Sequence, residues 1–339
     1  MQKRLEYIDI CKAFGIILVI LGHTYYGPQV IYNIIYCFHM PLFFIVSGFT
    51  FQNSRTGFFT FAGRRAKKLL IPYGVFGIIN LLCQILWKTV YLNESIELSY
   101  IYNNFIGIAF CYSDMQHMPN CSPIWFLLCL YITNLLFYWI EKLNIKFGFL
   151  ISVLCMGFCY LFSKLPHTYT SYIWKFPVFF MAIFLMHIGY IFKKIIAKYN
   201  LSKNGISNLI CLCILFLSIT LEIITENAVG MNENLYGNIF VFLGTAVPIS
   251  MAFIMLCRNF SILHRCRFLL WLGRNTIYVI GFNYLCRDLA VELFYLIPYI
   301  RNYKITFVPL FVITFALCIV FVLSCSFIVK IVRKQKREN

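Results

Sequence analysis

Charge is what this chain has least of. Only 12% of its 339 residues are Asp, Glu, Lys or Arg, against about 25% in ordinary soluble domains. Acids are scarcer than bases, 12 to 29. With 61% hydrophobic and 19% aromatic residues, the chain has too little polar surface for a soluble globule. Other absences narrow the reading. The first apolar run has no small-residue cleavage site and carries Lys12 and His23, so it reads as a retained membrane anchor rather than a removable signal peptide. The 15 cysteines show no metal-ligand spacing, and no metal is expected. Most of them fall inside apolar runs, as small hydrophobes. Cys111 and Cys121 share one polar loop and are the pair that would form a disulfide in an oxidising compartment. No repeat, heptad or linker divides the sequence. Residues 1–339 therefore read as a single integral-membrane domain ending in a short basic tail, 330–339.

What is present is a series of apolar runs, about ten of them long enough to cross a bilayer as helices. They lie near Ile8–Tyr26, Ile31–Phe51, Leu69–Tyr91, Ile124–Ile140, Phe147–Phe162, Ile173–Phe192, Ile206–Thr225, Tyr236–Cys257, Phe268–Cys286 and Thr306–Val329. The expected fold is all-α, a polytopic membrane helical bundle. With ten spans, the N-terminus, Asn53–Lys68, Glu141–Lys146, Lys193–Lys203, Arg258–Arg267 and the tail share one side, and they hold most of the basic residues. The opposite loops Leu92–Pro123 and Glu226–Leu235 contain no Lys or Arg. By the positive-inside rule both termini are cytoplasmic, which accounts for the formal charge of +17 without nucleic acid. Leu92–Pro123 is the longest stretch without a span, and its apolar part Ile101–Tyr112 is expected to dip back and cover a site.

The chain is organised around Asp9–Phe51, whose two helices carry Lys12, His23 and His39. An ionisable group at hydrocarbon depth costs about 2.5–3.5 kcal/mol, so it is expected to face a cavity or a partner. Lys12 and His23, eleven residues apart, lie within about 20° of one helix face and roughly 16 Å apart along its axis. A basic residue, ten intervening residues and a His, then Phe38-His39-Met40-Pro41-Leu42-Phe43-Phe44 and Ser47-Gly48-Phe49, form an ordered pair of motifs. This pair resembles the integral-membrane acyltransferase-3 family, O-acyltransferases of cell-surface glycans, with an opening most similar to fucose 4-O-acetylase-like and exopolysaccharide O-acetyltransferase members.

The resemblance implies acyl transfer, acetyl above all, from cytoplasmic acyl-CoA to a sugar hydroxyl of a surface polysaccharide or lipid-linked glycan, with acetyl-CoA as co-substrate. His23 and His39 would be catalytic, His23 as general base and His39 orienting it or stabilising an oxyanion. Lys12 would serve the acyl donor, although Asp9 one turn earlier can pair with it. The cluster Arg64-Arg65-Ala66-Lys67-Lys68 before Leu69-Leu70-Ile71-Pro72-Tyr73 matches the family's basic loop, and makes Arg65 and Lys68 candidates for the phosphates of CoA. Orientation alone also demands such a run. Leu272-Gly273-Arg274-Asn275-Thr276 resembles a later family motif. Arg274 would reach donor phosphate or snorkel, while Thr276 and Asn283, seven apart, would share a face toward the acceptor. Many members carry His where this chain has Asn283, and Asn takes no proton at neutral pH. Trp125 and Phe126 resemble a family Trp-Phe-Leu, but Trp is common at membrane interfaces anyway. Glu222 and Glu226, four apart near the outer end of the seventh span, could touch acceptor hydroxyls but read first as two solvated carboxylates; His187 and His117 receive no role, and the tail is expected on anionic lipid. Loop lengths and composition point to a multi-pass protein of a bacterial plasma membrane, of open oligomeric state. Two other readings compete. One is a transporter or flippase using Lys and His for proton coupling, though repeat symmetry is missing. The other is a catalytically dead glycan-binding relative.

Overall fold

The computed structural model describes residues 4–52, 56–114, 116–118, 121–166, 172–199, 205–296 and 306–338, the last with side chains through Phe327. The helices are α1 (Glu6–Thr24), α2 (Gln29–Phe49), α3 (Phe58–Lys68), α4 (Leu70–Leu86), α5 (Leu98–Phe110), α6 (Trp125–Ile140), α7 (Ile145–Ser163), α8 (Val178–Tyr199), α9 (Gly205–Thr225), α10 (Ile239–Asn259), α11 (Arg267–Arg274), α12 (Thr276–Tyr295) and α13 (Phe307–Glu338). Among the described residues there is no strand, only one isolated bridge between Gly230 and Leu235. The chain is an all-α polytopic bundle, and among the described residues nine stretches are long and apolar enough to cross a membrane. This follows from the apolar runs, because a helix is the only open-ended way to satisfy every backbone polar group in hydrocarbon.

The tenth expected span is α11 and α12 together, and it differs from the sequence reading. The helix breaks at Asn275, whose side-chain amide donates to the Trp271 carbonyl at 2.7 Å, and then runs on to Tyr295. Its last turns carry Arg287, Asp288 and Glu292, which take it below the apolarity of the other nine. It nevertheless covers the same depth as α1, with Arg274 beside Asp9 at one end and Tyr284 beside His23 at the other.

Two classes of helix build the bundle. In the spans containing α1, α2, α6, α8 and α10, 56–72% of the most apolar window is buried, against 17–22% for α7, α9 and α13. The first set is the core, and the second presents side chains to lipid. α1 packs against α2 and against α10 to α13, while α2 packs against α8, α9 and α10. A tight connection, Tyr25–Pro28, makes α1 and α2 an antiparallel pair. α2 also crosses α8 backbone to backbone. A Cβ on Gly48 would lie 1.8 Å from the Met186 carbonyl oxygen, and one on Gly189 1.9 Å from that of Ile45. Only glycine permits this approach.

Leu92–Pro123 contains α5, thirteen residues long and too short to span. It is fastened to α4 by the Tyr73 hydroxyl donating to the Ile108 carbonyl at 2.6 Å. Cys111 and Cys121 are buried free thiols, so the disulfide envisaged for this loop is not present.

Candidate active site

At one end of α1 a single carboxylate gathers three cations. Asp9 is buried, and Arg4 donates to both its oxygens at 2.6 and 2.9 Å. Lys12 Nζ lies 2.9 Å from Oδ1, and Arg274 Nε 3.4 Å from Oδ2. The pairing of Asp9 with Lys12 that the sequence allowed is real, yet it does not cancel the site, since three positive charges face one negative. Arg274 arrives because α11 lies directly on α1: a Cβ on Gly273 would stand 1.8 Å from the Asp9 carbonyl oxygen. Burial and its two hydrogen bonds compete at Arg4, and the bonds to Asp9 raise its pKa. Arg65 is at the same end, its guanidinium 5.1 Å from the Phe61 ring centroid and 5.8 Å from that of Phe51. Phe51 follows Phe49, which packs edge-on to Tyr7 of α1 at 6.3 Å. Lys68 closes α3 with its side chain in solvent.

Toward the other end of α1 lies a cavity of about 410 Å³, walled by side chains of α1, α2, α6 and α12. From α2 it takes Gln29, Tyr32, Asn33, Tyr36, His39, Met40 and Phe43, a three- and four-residue spacing that puts them on one helix face. α1 contributes Val19 and His23, and α12 contributes Ile280 and Tyr284. Trp125 and Phe126 line it as well, together with Ser113, Asp114 and the 228–235 loop. From Leu92–Pro123 the cavity takes Ser113, Asp114, Met118, Ser122 and Pro123, whereas the apolar part Ile101–Tyr112, expected to dip back over a site, does not line it.

The two imidazoles occupy this cavity in different states of commitment. His39 is 3% exposed, and its Nδ1 lies 2.6 Å from the Ile35 carbonyl oxygen. A carbonyl only accepts, so Nδ1 carries the proton and the neutral ring keeps its lone pair on Nε2. Neutral His39 thus has no N–H left for an oxyanion, and the oxyanion role envisaged for it is not available to that form. His23 Nδ1 faces two hydroxyls, Tyr36 at 3.2 Å and Tyr284 at 3.4 Å. A tyrosine hydroxyl can give or take, so either tautomer of His23 is held. The residues that orient His23 are these tyrosines. His39 instead meets Tyr36 through its ring, with centroids 4.9 Å apart.

Several sequence-predicted residues lie elsewhere. Thr276 and Asn283 are both buried in α12, and the cavity is lined by their neighbours Ile280 and Tyr284. Neither polar atom of the Asn283 side chain has a hydrogen-bond partner among the described residues. Lys12, Arg65, Lys68 and Arg274 are outside the cavity, which ends at Val19 and Phe43. Phe43 seals that floor against α1 at Gly15, and Ile16 is fully buried beneath it. Glu222 corrects the sequence reading, because it is 1% exposed rather than solvated. His187 receives a structural partner, Ser152 Oγ at 2.8 Å. Tyr32, Tyr36 and Tyr284 were missed. The period from Gln29 to Phe43 could have found the first two, whereas the 228–235 loop carries no signal of its own.

A helical bundle whose central pair of helices holds a cation cluster at one end, and a half-buried His23 with a buried His39 in a cavity toward the other, is a membrane protein with ionisable groups gathered at two depths of its core. The acyltransferase domain profile matches residues 5–329, and the chain belongs to the acyltransferase-3 family. It is a membrane acyltransferase. No curated protein matches it at a significant level.

Proposed function

We propose that the protein transfers an acetyl group from acetyl-CoA on the cytoplasmic side to a hydroxyl of a surface or lipid-linked glycan. The observation carrying this reading is the division of α1 between a cationic end at Lys12 and a polar, histidine-lined cavity at His23, roughly 16 Å along one helix face. That separation suits an extended pantetheine arm. The CoA phosphates meet Lys12, Arg274, Arg65 and Lys68, while the thioester advances along α1 past Ile16 and Val19. In the resting structure Phe43 closes that path, so donor entry moves its ring.

In the cavity the acceptor hydroxyl attacks the thioester carbon. The C–S bond breaks, the C–O ester bond forms, and CoA leaves as the thiolate. The hydroxyl proton passes to His23 and an equivalent proton returns to the thiolate sulfur, so none is gained or lost overall. As base, His23 uses Nε2 while its Nδ1–H is donated to a tyrosine oxygen. Proton transfer of this kind contributes about 10²–10⁴-fold. His39 Nε2 accepts a hydrogen bond from the acceptor and positions it. Asn283, next to Tyr284, supports this wall from behind, with Thr276 about two turns away at the start of α12. In its opening motifs the chain resembles fucose 4-O-acetylase-like and exopolysaccharide O-acetyltransferase members of the family, which supports this reading.

Mass spectrometry of surface glycans from cells with and without the gene tests the reading. Loss of O-acetyl groups on deletion, restored by the wild-type gene and not by His23→Ala, is the expected result. An unchanged glycan would overturn it.

A further inference from the structure

The outer wall of the cavity comes from two loops far apart in sequence, and Asp114 of the first faces the acceptor space together with Asn232 and Glu233 of the second. The second loop is held at its root. Asn227 Oδ1 accepts from the Asn238 amide at 2.7 Å, and Asn227 Nδ2 donates to the Tyr236 carbonyl at 3.3 Å. Gly230 and Leu235 then exchange both backbone hydrogen bonds, at 2.9 and 3.0 Å, and close the loop into a small hairpin. Its tip is Asn232, which two donors from elsewhere in the chain secure. Ser113 Oγ donates to Asn232 Oδ1 at 2.8 Å, and Lys175 Nζ donates to the Asn232 carbonyl at 3.1 Å.

Lys175 is costly where it stands. Its residue is 2% exposed, and a buried ammonium is unfavourable unless opposite charge and hydrogen bonds meet it. Its backbone is left-handed, φ 59°, and so is that of Trp174 before it, φ 55°. Two successive residues other than glycine take this conformation only where their surroundings hold them there. The turn is pinned to α5 by Trp174 Nε1, which donates to the Ala109 carbonyl at 2.9 Å. Lys175 does not line the cavity; it reaches the wall from behind. Its charge is met by the wall itself, since Asp114 and Glu233 both lie within its electrostatic reach. Asp114 also accepts from the backbone amides of Gln116 and His117 and from the His117 ring, all at 2.8–2.9 Å. Burial raises the pKa of Asp114, but these hydrogen bonds outweigh it and hold the group below the ordinary value.

We propose that Lys175 is a positioning residue of the acceptor site, a buried cation that ties the tip of the 228–235 loop into the wall and balances the two acidic side chains facing the acceptor. This rests on the reading of the cavity as the acceptor site. A hydroxyl-bearing ring is held by a few polar contacts whose positions must be fixed beforehand. A tip that swings free displaces Asn232 and Glu233 from the acceptor, while the donor path along α1, on the far side of Phe43, keeps its shape.

The test uses full-length wild-type and Lys175→Met protein in nanodiscs, with acetyl-CoA as donor and, as acceptor, surface glycan extracted from cells lacking the gene. Hydrogen exchange reads the loop. In the wild type the Glu233 and Asn234 amides at the tip are expected to be protected like that of Asn238 at the root, and Lys175→Met should speed exchange at the tip about tenfold while leaving the root unchanged. The apparent KM for the glycan should rise about fivefold, with KM for acetyl-CoA unaltered and kcat reduced by less than KM rises. If Lys175→Met alone does not fold, exchange is read on Lys175→Met with Glu233→Gln, which removes one charge of each sign. A tip that exchanges freely in the wild type would overturn the proposal without any variant. So would a loss in Lys175→Met that falls on kcat or on acetyl-CoA as heavily as on the glycan, the pattern of general damage to the fold. Acetylation by Lys175→Met with an unchanged glycan KM would refute the positioning role and leave the reaction standing. No acetylation by the wild type would refute the reaction, and the positioning role with it.

Discussion

An imidazole takes a proton only through a nitrogen that is not already giving one. His39 gives Nδ1–H to the Ile35 carbonyl, so it is locked as an acceptor at Nε2. His23 has two hydroxyls at Nδ1 and can exchange tautomers as a reaction proceeds. Folded His39→Ala is therefore expected to raise the apparent KM for the acceptor more than it lowers kcat. A fall in kcat as deep as that of His23→Ala would move the base to His39. Asp9→Asn tests the other end of α1. It removes the negative centre of a cluster in which Arg4 and Arg274 have 57% and 45% of their side chains exposed. The expected loss of stability is about 2 kcal/mol, below that for opening a fully buried pair, because water screens both arginines. A thermal midpoint unchanged from wild type would show that the cluster does not hold α11 to α1.

At the scale of the elements, the bundle depends on two backbone crossings. Gly48→Ala would place a methyl group 1.8 Å from a carbonyl oxygen of α8, and Gly189→Ala one 1.9 Å from a carbonyl oxygen of α2. Either should sharply reduce the folded fraction recovered in detergent. Gly157→Ala, with nothing within 4 Å of the new methyl, should be tolerated or slightly stabilising. Equal tolerance of all three would refute the crossing. These elements also show what was legible in the sequence. Spanning helices were readable because lipid imposes a length and an apolarity on each one. The break at Asn275 was not, since it lies beside the contact of Gly273 with Asp9, more than 260 residues away in sequence. Lys12, His23 and His39 were readable as expensive groups in apolar runs. Tyr36 and Tyr284 were hidden because aromatic residues belong to any membrane helix, and only the fold puts their hydroxyls on one imidazole. Glu222 was misread because a carboxylate near a helix end is usually wet, whereas here α9 turns it inward.

For the whole molecule, the account requires the cationic end of α1 to face the cytoplasm and the cavity to open toward the other side. A reporter at Glu97 should then be extracytoplasmic and one at the C-terminus cytoplasmic, and the reverse would put the donor site on the wrong side. Arg65→Ala with Lys68→Ala should raise KM for acyl-CoA more than it lowers kcat, because contacts remote from the thioester hold ground and transition states alike. Unchanged donor affinity would leave those residues with orientation alone. The most direct test of the central claim is transfer of labelled acetyl from acetyl-CoA to the native glycan by wild-type and His23→Ala protein in proteoliposomes, with acyl-CoA binding measured in parallel. The account predicts that the variant binds donor normally and transfers about 10²–10⁴-fold more slowly. Transfer at the wild-type rate by His23→Ala would contradict it.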